Sequence, residues 1–247
     1  MHRILLTTVS LGALSLAVPA LAADLAPYTK APALVAATYD WSGFYIGAFG
    51  GAGYGNHNLN NASGPNTPNA NYTANYSSKG GTAGGEIGYN AQSGNYVFGV
   101  EADYAWFDMK GSDAADVFQI GSINATNLRQ GGTLRARAGF TVDRWLMFFT
   151  GGWAYGDFSH TNTVPGGAVD TFSNNRSGLT GGGGVAYALT NNLIGKLEYR
   201  YYDFGAYSRA GTPLTPNGQL PYTVNNTYSV VTLGLDFKFG EPVVAKY

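Results

Sequence analysis

Asn95-Tyr96-Val97-Phe98-Gly99-Val100-Glu101-Ala102-Asp103-Tyr104-Ala105-Trp106 decides the fold of this chain, because its charges keep to one side of an alternating pattern. Successive side chains of a strand point to opposite faces. Phe98, Val100, Ala102, Tyr104 and Trp106 therefore share one face, and Glu101 and Asp103 take the other. The pattern recurs: Leu134, Ala136, Ala138, Phe140 and Val142 oppose Thr133, Arg135 and Arg137. Leu193, Leu197, Tyr199 and Tyr201 oppose Lys196, Glu198 and Arg200, and Ser229, Val231, Leu233, Leu235, Phe237 and Phe239 oppose Thr232, Asp236 and Lys238. With Glu86 added, five acidic and five basic residues lie on the polar side of these segments, and none lies on the apolar side.

Eight such segments follow one another: Gly43–Gly55, Lys79–Asn90, Asn95–Met109, Gln130–Val142, Arg144–Phe158, Ser177–Thr190, Asn192–Ala206 and Thr227–Phe239. Their links alternate in length. Ala91-Gln92-Ser93-Gly94, Asp143-Arg144 and Asn191-Asn192 are tight turns, whereas 56–78, 110–129, 159–176 and 207–226 are long and rich in Asn, Gly, Ser, Thr and Pro. Four long and three short links imply eight antiparallel strands with both termini on the side of the short turns. Outer-membrane barrels have short periplasmic turns and longer external loops.

A soluble sandwich also alternates, with its charges turned to water. Strand length separates the two readings. Segments of 11 to 15 residues exceed the five or six usual in soluble sheets and suit a tilted crossing of a bilayer. Backbone groups in hydrocarbon must all be paired, so a spanning sheet has to close on itself. Aromatic residues also gather at the segment ends. Trp41, Tyr96, Trp145 and Phe239 are expected to form a periplasmic girdle, and Tyr54, Trp106, Trp153 and Tyr155 an external one. The expected fold is an all-β, eight-stranded antiparallel transmembrane barrel. Its bore holds Glu86, Glu101, Asp103, Arg135, Arg137, Lys196, Glu198, Arg200, Asp236 and Lys238 as a salt-bridged core that fills the interior.

The N-terminus agrees with export. Met1-His2-Arg3, an apolar stretch from Ile4 to Val18 and the Ala20-Leu21-Ala22 site predict a signal peptide over 1–22, cleaved before Ala23. Residues 23–40, with Pro27 and Pro32, predict a flexible periplasmic lead-in, and 41–247 hold the barrel and a short tail. No cysteine is present, so the fold uses no disulfide. Charged residues make up only 12% of the chain, with 14 basic against 15 acidic, which leaves no basic footprint for nucleic acid. The 36 glycines include runs at Gly80-Gly81, Gly84-Gly85 and Gly181–Gly184 that lack the lysine of a phosphate loop, and they are expected to make room for bulky neighbours in the bore.

Ala23-Asp24-Leu25, Lys30-Ala31-Pro32, Trp41-Ser42-Gly43-Phe44-Tyr45-Ile46-Gly47 and Gly151-Gly152-Trp153-Ala154-Tyr155-Gly156 occur in that order. Tyr187-Ala188-Leu189-Thr190, Lys196-Leu197-Glu198-Tyr199 and Leu233-Gly234-Leu235-Asp236-Phe237-Lys238-Phe239 come later. Together they resemble the small porin-like, outer-membrane immunogenic barrels of alphaproteobacteria, a group that includes surface antigens and haemin-binding proteins. The resemblance implies an outer-membrane location and a structural or surface-exposed role. It also implies a terminal aromatic read by the assembly machinery, for which Phe239 and Tyr247 are both candidates.

Sites for chemistry are sparse. His57 and His160 are expected in external loops, where either, or Tyr72 or Tyr76, has the chemistry of a haem axial ligand. A solvated loop histidine is the plainer reading of both. Ser159-His160 with Asp157 nearby has the residue types of a hydrolase, but neighbours along a strand face opposite ways. The expectation is therefore a non-enzyme with no cofactor or bound metal. Its partners are outer-membrane lipid and lipopolysaccharide, the assembly machinery, and a haem or host-surface ligand at the loops. Three roles stay open: a structural surface protein, a low-conductance porin, and a loop-mediated binder of haem or host surfaces.

Overall fold

The computed structural model describes residues 39–61, 73–113, 123–163, 169–209 and 222–240. They form eight strands: β1 (Gly43–Asn61), β2 (Thr73–Ser93), β3 (Tyr96–Asp113), β4 (Ile123–Val142), β5 (Trp145–Thr163), β6 (Val169–Ala188), β7 (Leu193–Arg209) and β8 (Tyr222–Lys238). Each pairs antiparallel with the next, and β8 returns to β1 to close the barrel. The expected signal peptide, the lead-in up to residue 38, Tyr72 and Tyr247 lie outside the described residues.

Two of the tight turns are where the sequence put them, and the first is shifted to Gly94-Asn95, with Ala91–Ser93 in β2. Gly94 has φ 59° between β2 and β3, and Asp143 has φ 52° between β4 and β5, a conformation that short hairpin turns demand. Strand length is different from expectation. The strands run 17 to 21 residues, not 11 to 15, so much of the Asn- and Ser-rich sequence assigned to long loops is strand. Once each neighbour offers a ladder, backbone pairing outweighs the turn preference of those residues. About ten tilted residues cross the hydrocarbon, and the rest of each strand projects beyond it.

Alternation sorts the wall as expected. Ile46, Ile87, Phe98, Val100, Leu134, Phe149, Leu179, Leu197, Leu233 and Leu235 all point outward and are exposed, forming the surface that a bilayer covers. Tyr54, Trp106 and Trp153 stand on the outer face at one end of that belt, and Tyr96, Trp145 and Phe239 at the other. Trp41 is a correction. It is 1% exposed and packs inside the periplasmic end against Val97, Leu146, Phe148, Ala186, Ala188 and Ile194. Trp41 precedes β1 by two residues and has the same parity as inward Tyr45, so the chain carries it into the bore and not onto the girdle.

Inward glycines let large neighbours lie flat against the wall. A Cβ on Gly88 would run into the Tyr45 ring, and one on Gly84 into Phe49 and the β3 backbone. The bore is thereby filled by a few large side chains anchored on other strands, as an eight-stranded barrel allows.

Candidate functional site

All ten of the ionisable residues expected in the bore are buried: Glu86 on β2, Glu101 and Asp103 on β3, Arg135 and Arg137 on β4, Lys196, Glu198 and Arg200 on β7, and Asp236 and Lys238 on β8. Nine of them meet at mid-height. Arg135 ties Glu101 to Glu198 and lies 3.1 Å from Asp103. Arg137 reaches Glu101 at 2.5 Å, and its guanidinium lies over the Phe148 ring, 4.3 Å from its centre. Arg200 holds Glu198 at 2.8 Å, Glu86 at 3.2 Å and Asp103 at 3.3 Å, and stacks on Phe49. Five carboxylates thus share four cations. Asp236 has the weakest share, with Lys196 Nζ 3.9 Å away.

Glu86, Glu101 and Glu198 bring one oxygen each within 4.8 Å of one another, the spacing of a metal cage. The ammonium of Lys196 stands in that cage, bonded to Glu86, 3.4 Å from Glu101 and 3.7 Å from Glu198. A cation is already built into the sequence there. Removing one member of such a cluster leaves a charge uncompensated in low dielectric, which is far more costly than the cluster is stabilising.

Lys238 does not join the network. Its ammonium donates to the Asp40 carbonyl and lies over the Tyr39 ring at the periplasmic end. There Tyr39 donates to the Asn191 carbonyl at 2.9 Å, Trp41 N–H donates to Gln92 Oε1 at 2.7 Å, and Tyr39 meets Trp41 edge to face. Burial pushes the Tyr39 phenol up to about 12. The segment before β1 is thus a plug under the charged layer.

Above the charges lies an apolar layer of Met109, Leu128, Ala154, Phe158, Tyr202, Phe204, Tyr228 and Val230, drawn from five strands. A cavity of 10 Å³ beside Phe107, Leu128 and Tyr202 is too small to hold a water molecule comfortably. A groove of 710 Å³ lies instead on the outer wall, among Leu197, Leu233, Leu235, Tyr187 and Trp145. Among the described residues the bore is therefore occupied by side chains at three successive heights: plug, charges and aromatics.

The histidines are a second correction. His57 is buried on β1, not in a loop, with Nδ1 2.6 Å from Asn226 Oδ1 and Nε2 3.0 Å from Ser78 Oγ, and it stacks on Tyr76 of β2. His160 is buried on β5 beside Phe158 and Tyr207. Both were assigned to loops because their neighbours are turn formers, yet each has the inward parity of its own strand. Both ring nitrogens of His57 are engaged by protein, which leaves it no lone pair for haem iron. Ser159 and His160 point to opposite faces of β5, and Asp157 accepts from Gln130 on the outer side, so no catalytic arrangement forms from the three.

Sequence reasoning placed Thr133 on the polar side but missed Tyr45 and Thr150, the other neutral members of the charged layer named here. Tyr45 donates to Glu101 Oε2 at 2.6 Å, Thr133 to Asp103, and Thr150 lies 3.2 Å from Arg135. Thr133 has the parity of Arg135 on its own strand, and Tyr45 and Thr150 lie opposite Lys238 and Arg137 on neighbouring strands. Counting inward positions on every strand, uncharged ones included, finds them.

A sequence model described as outer membrane protein beta-barrel domain matches residues 8–239. The chain is 30% identical over 245 residues to the 25 kDa outer-membrane immunogenic protein of Brucella abortus, covering 95% of this chain and 97% of that one. It is 31% identical over 209 residues to the 31 kDa outer-membrane immunogenic protein of Brucella melitensis, covering 82% and 85%. It is also 31% identical over 166 residues to a 22 kDa outer membrane protein of Rhizobium leguminosarum, covering 66% and 64%. Closed, lipid-faced and matched along nearly its whole length, the chain belongs to the outer membrane protein β-barrel family.

Proposed function

We propose that this outer-membrane barrel is a non-conducting wall element that displays strand ends and loops on the cell surface, without catalytic activity. The observation that carries the reading is the bore, blocked in turn by Trp41, by the charge network and by the Phe158 layer. A conducting pore needs a continuous path of water, and side chains occupy that path at three heights. Extending the strands past the girdles costs nothing in lipid contact and presents a rigid polar rim to the outside. Lipid and lipopolysaccharide are its surroundings, and the assembly machinery its partner during insertion, with outward-facing Phe239 at the end of β8 suited to docking.

Purified full-length protein reconstituted in planar bilayers tests the reading. No current steps above leak are expected, together with heat-modifiable migration on gels. Reproducible unitary steps from a heat-modifiable sample would instead favour the low-conductance porin.

A further inference from the structure

The ladder between β6 and β7 stops at Leu179 and Asp203. Among the described residues, β6 continues to Val169 paired with β5, and β7 continues to Arg209 paired with β8. No other seam among the described strands ends so far short of its strand ends. The cause is local. Asp203 Oδ1 accepts from Gly205 N–H at 2.8 Å, Gly205 takes φ 63°, and the β7–β8 register shifts between Asp203 and Ala206. The β6–β7 ladder ends at this bulge. Ser177 pairs with Tyr155 of the external girdle, so the open seam begins at the membrane boundary and lies beyond it.

An unpaired strand edge is a template for another strand, and such edges are normally blunted. This edge is polar and open: Thr171, Ser173, Asn175 and Ser177 point outward and are exposed. On the inward side Arg176 donates through Nη2 to the Gly205 carbonyl at 3.3 Å and stacks over Tyr207, while its Nη1 and Asn174 Oδ1 are buried with no hydrogen-bond partner among the described residues. Among the described residues, backbone and side chains of β6 therefore both present hydrogen-bonding groups without a partner along one line.

The chain's own links are poor candidates to fill the seam. Residues 62–72 contain Pro65 and Pro68, 164–168 contain Pro165, and 210–221 contain Pro213, Pro216 and Pro221, each of which lacks the N–H that a ladder requires. Residues 114–122 contain no proline, but they leave β3 and return to β4 within nine residues. Out and back, that permits a reach of roughly 15 Å, with nothing left to run along β6. A second copy in the same membrane would present its β6 in the same sense, which gives the less stable parallel pairing.

We propose that the Val169–Ser177 edge of β6 takes up an extended segment of another polypeptide from outside the cell as an added antiparallel strand, with a carboxylate of that strand on Arg176. Main-chain bonds supply the affinity and the Arg176 contact the preference. The inference shares only its outward orientation with the display role above. A barrel that is heat-modifiable, electrically silent and indifferent to peptide would lose this inference alone.

The test is amide hydrogen exchange on the full-length protein in nanodiscs, with an acetylated, amidated heptapeptide that alternates Thr and Val around a central Glu. Slower exchange is expected at Ser173–Ser177, and no slowing with the same peptide N-methylated at alternate residues. Arg176→Ala should weaken binding roughly tenfold, the loss of one charge-assisted hydrogen bond. Three results overturn the proposal: no slowing at millimolar peptide, free-state protection at these amides equal to that of Leu179–Ala188, or protection that rises with protein concentration in the absence of peptide, which would assign the edge to a second copy.

Discussion

Arg135 of β4 and Glu198 of β7 are joined by an ion pair straight through the bore, although their strands share no ladder. The pair links two walls that backbone hydrogen bonding does not. It is flanked by Thr150, which lies 3.2 Å from Arg135 and donates to Glu198 at 3.3 Å.

Arg135→Leu should destabilise the folded barrel by about 3–5 kcal/mol, because it leaves Glu101, Asp103 and Glu198 short of a buried cation. Arg135→Leu combined with Glu198→Leu should recover part of that loss. Urea unfolding in lipid vesicles measures both; equal destabilisation by the single and double variants would show that the pair is not coupled.

Leu233 is 67% exposed at the middle of β8, on the face turned to hydrocarbon. Leu233→Arg should cost about 2–4 kcal/mol in the same assay if its depth is near the midplane. Thr232→Arg, one residue away, points the same charge into the bore, where it competes for Glu198, and should alter unfolding to a different extent. An equal response at the two positions would contradict the assigned faces.

Trp41→Ala removes the largest side chain of the plug and should cost about 3–5 kcal/mol. Bilayer current should nevertheless stay at leak, since the charged and aromatic layers remain. Current steps in this variant would locate the seal in the plug alone.

Tyr39 gives a pH dependence outside the membrane. Its phenol is held protonated up to about 12 by burial, above the ordinary value near 10. A raised folded-state value means that the contribution is complete below pH 10 and is lost as pH rises toward 12. The stability gap between wild type and Tyr39→Phe should therefore be constant from pH 7 to 9 and narrow between pH 10 and 12. A gap that already narrows near pH 8 would assign the effect to another group.

The faces of the barrel were legible because the ionised residues of the membrane-crossing parts of β3, β4, β7 and β8 sort by parity, the outward Asp108, Lys110 and Asp203 standing only toward the external ends. Where that rule was not applied, the sequence misled. Trp41 has the parity of Tyr45 and His57 the parity of both, yet the first was given to the girdle for being aromatic and the second to a loop for standing among asparagines. The extra strand length was hidden because those residues favour turns when considered alone, and only a neighbour's ladder holds them extended. The bulge at Asp203-Phe204-Gly205 was hidden for a different reason. An Asx-type turn inside an alternating strand changes pairing without changing composition.

Lys196 has one more consequence. Three glutamates with oxygens this close repel one another unless a cation, bound from solution or supplied by the protein, stands among them. Here the counter-ion is covalently attached to β7 and arrives with the polypeptide itself. Assembly of the barrel should therefore proceed alike in calcium-rich and EDTA-treated buffers, leaving any divalent-ion sensitivity to the lipopolysaccharide around it.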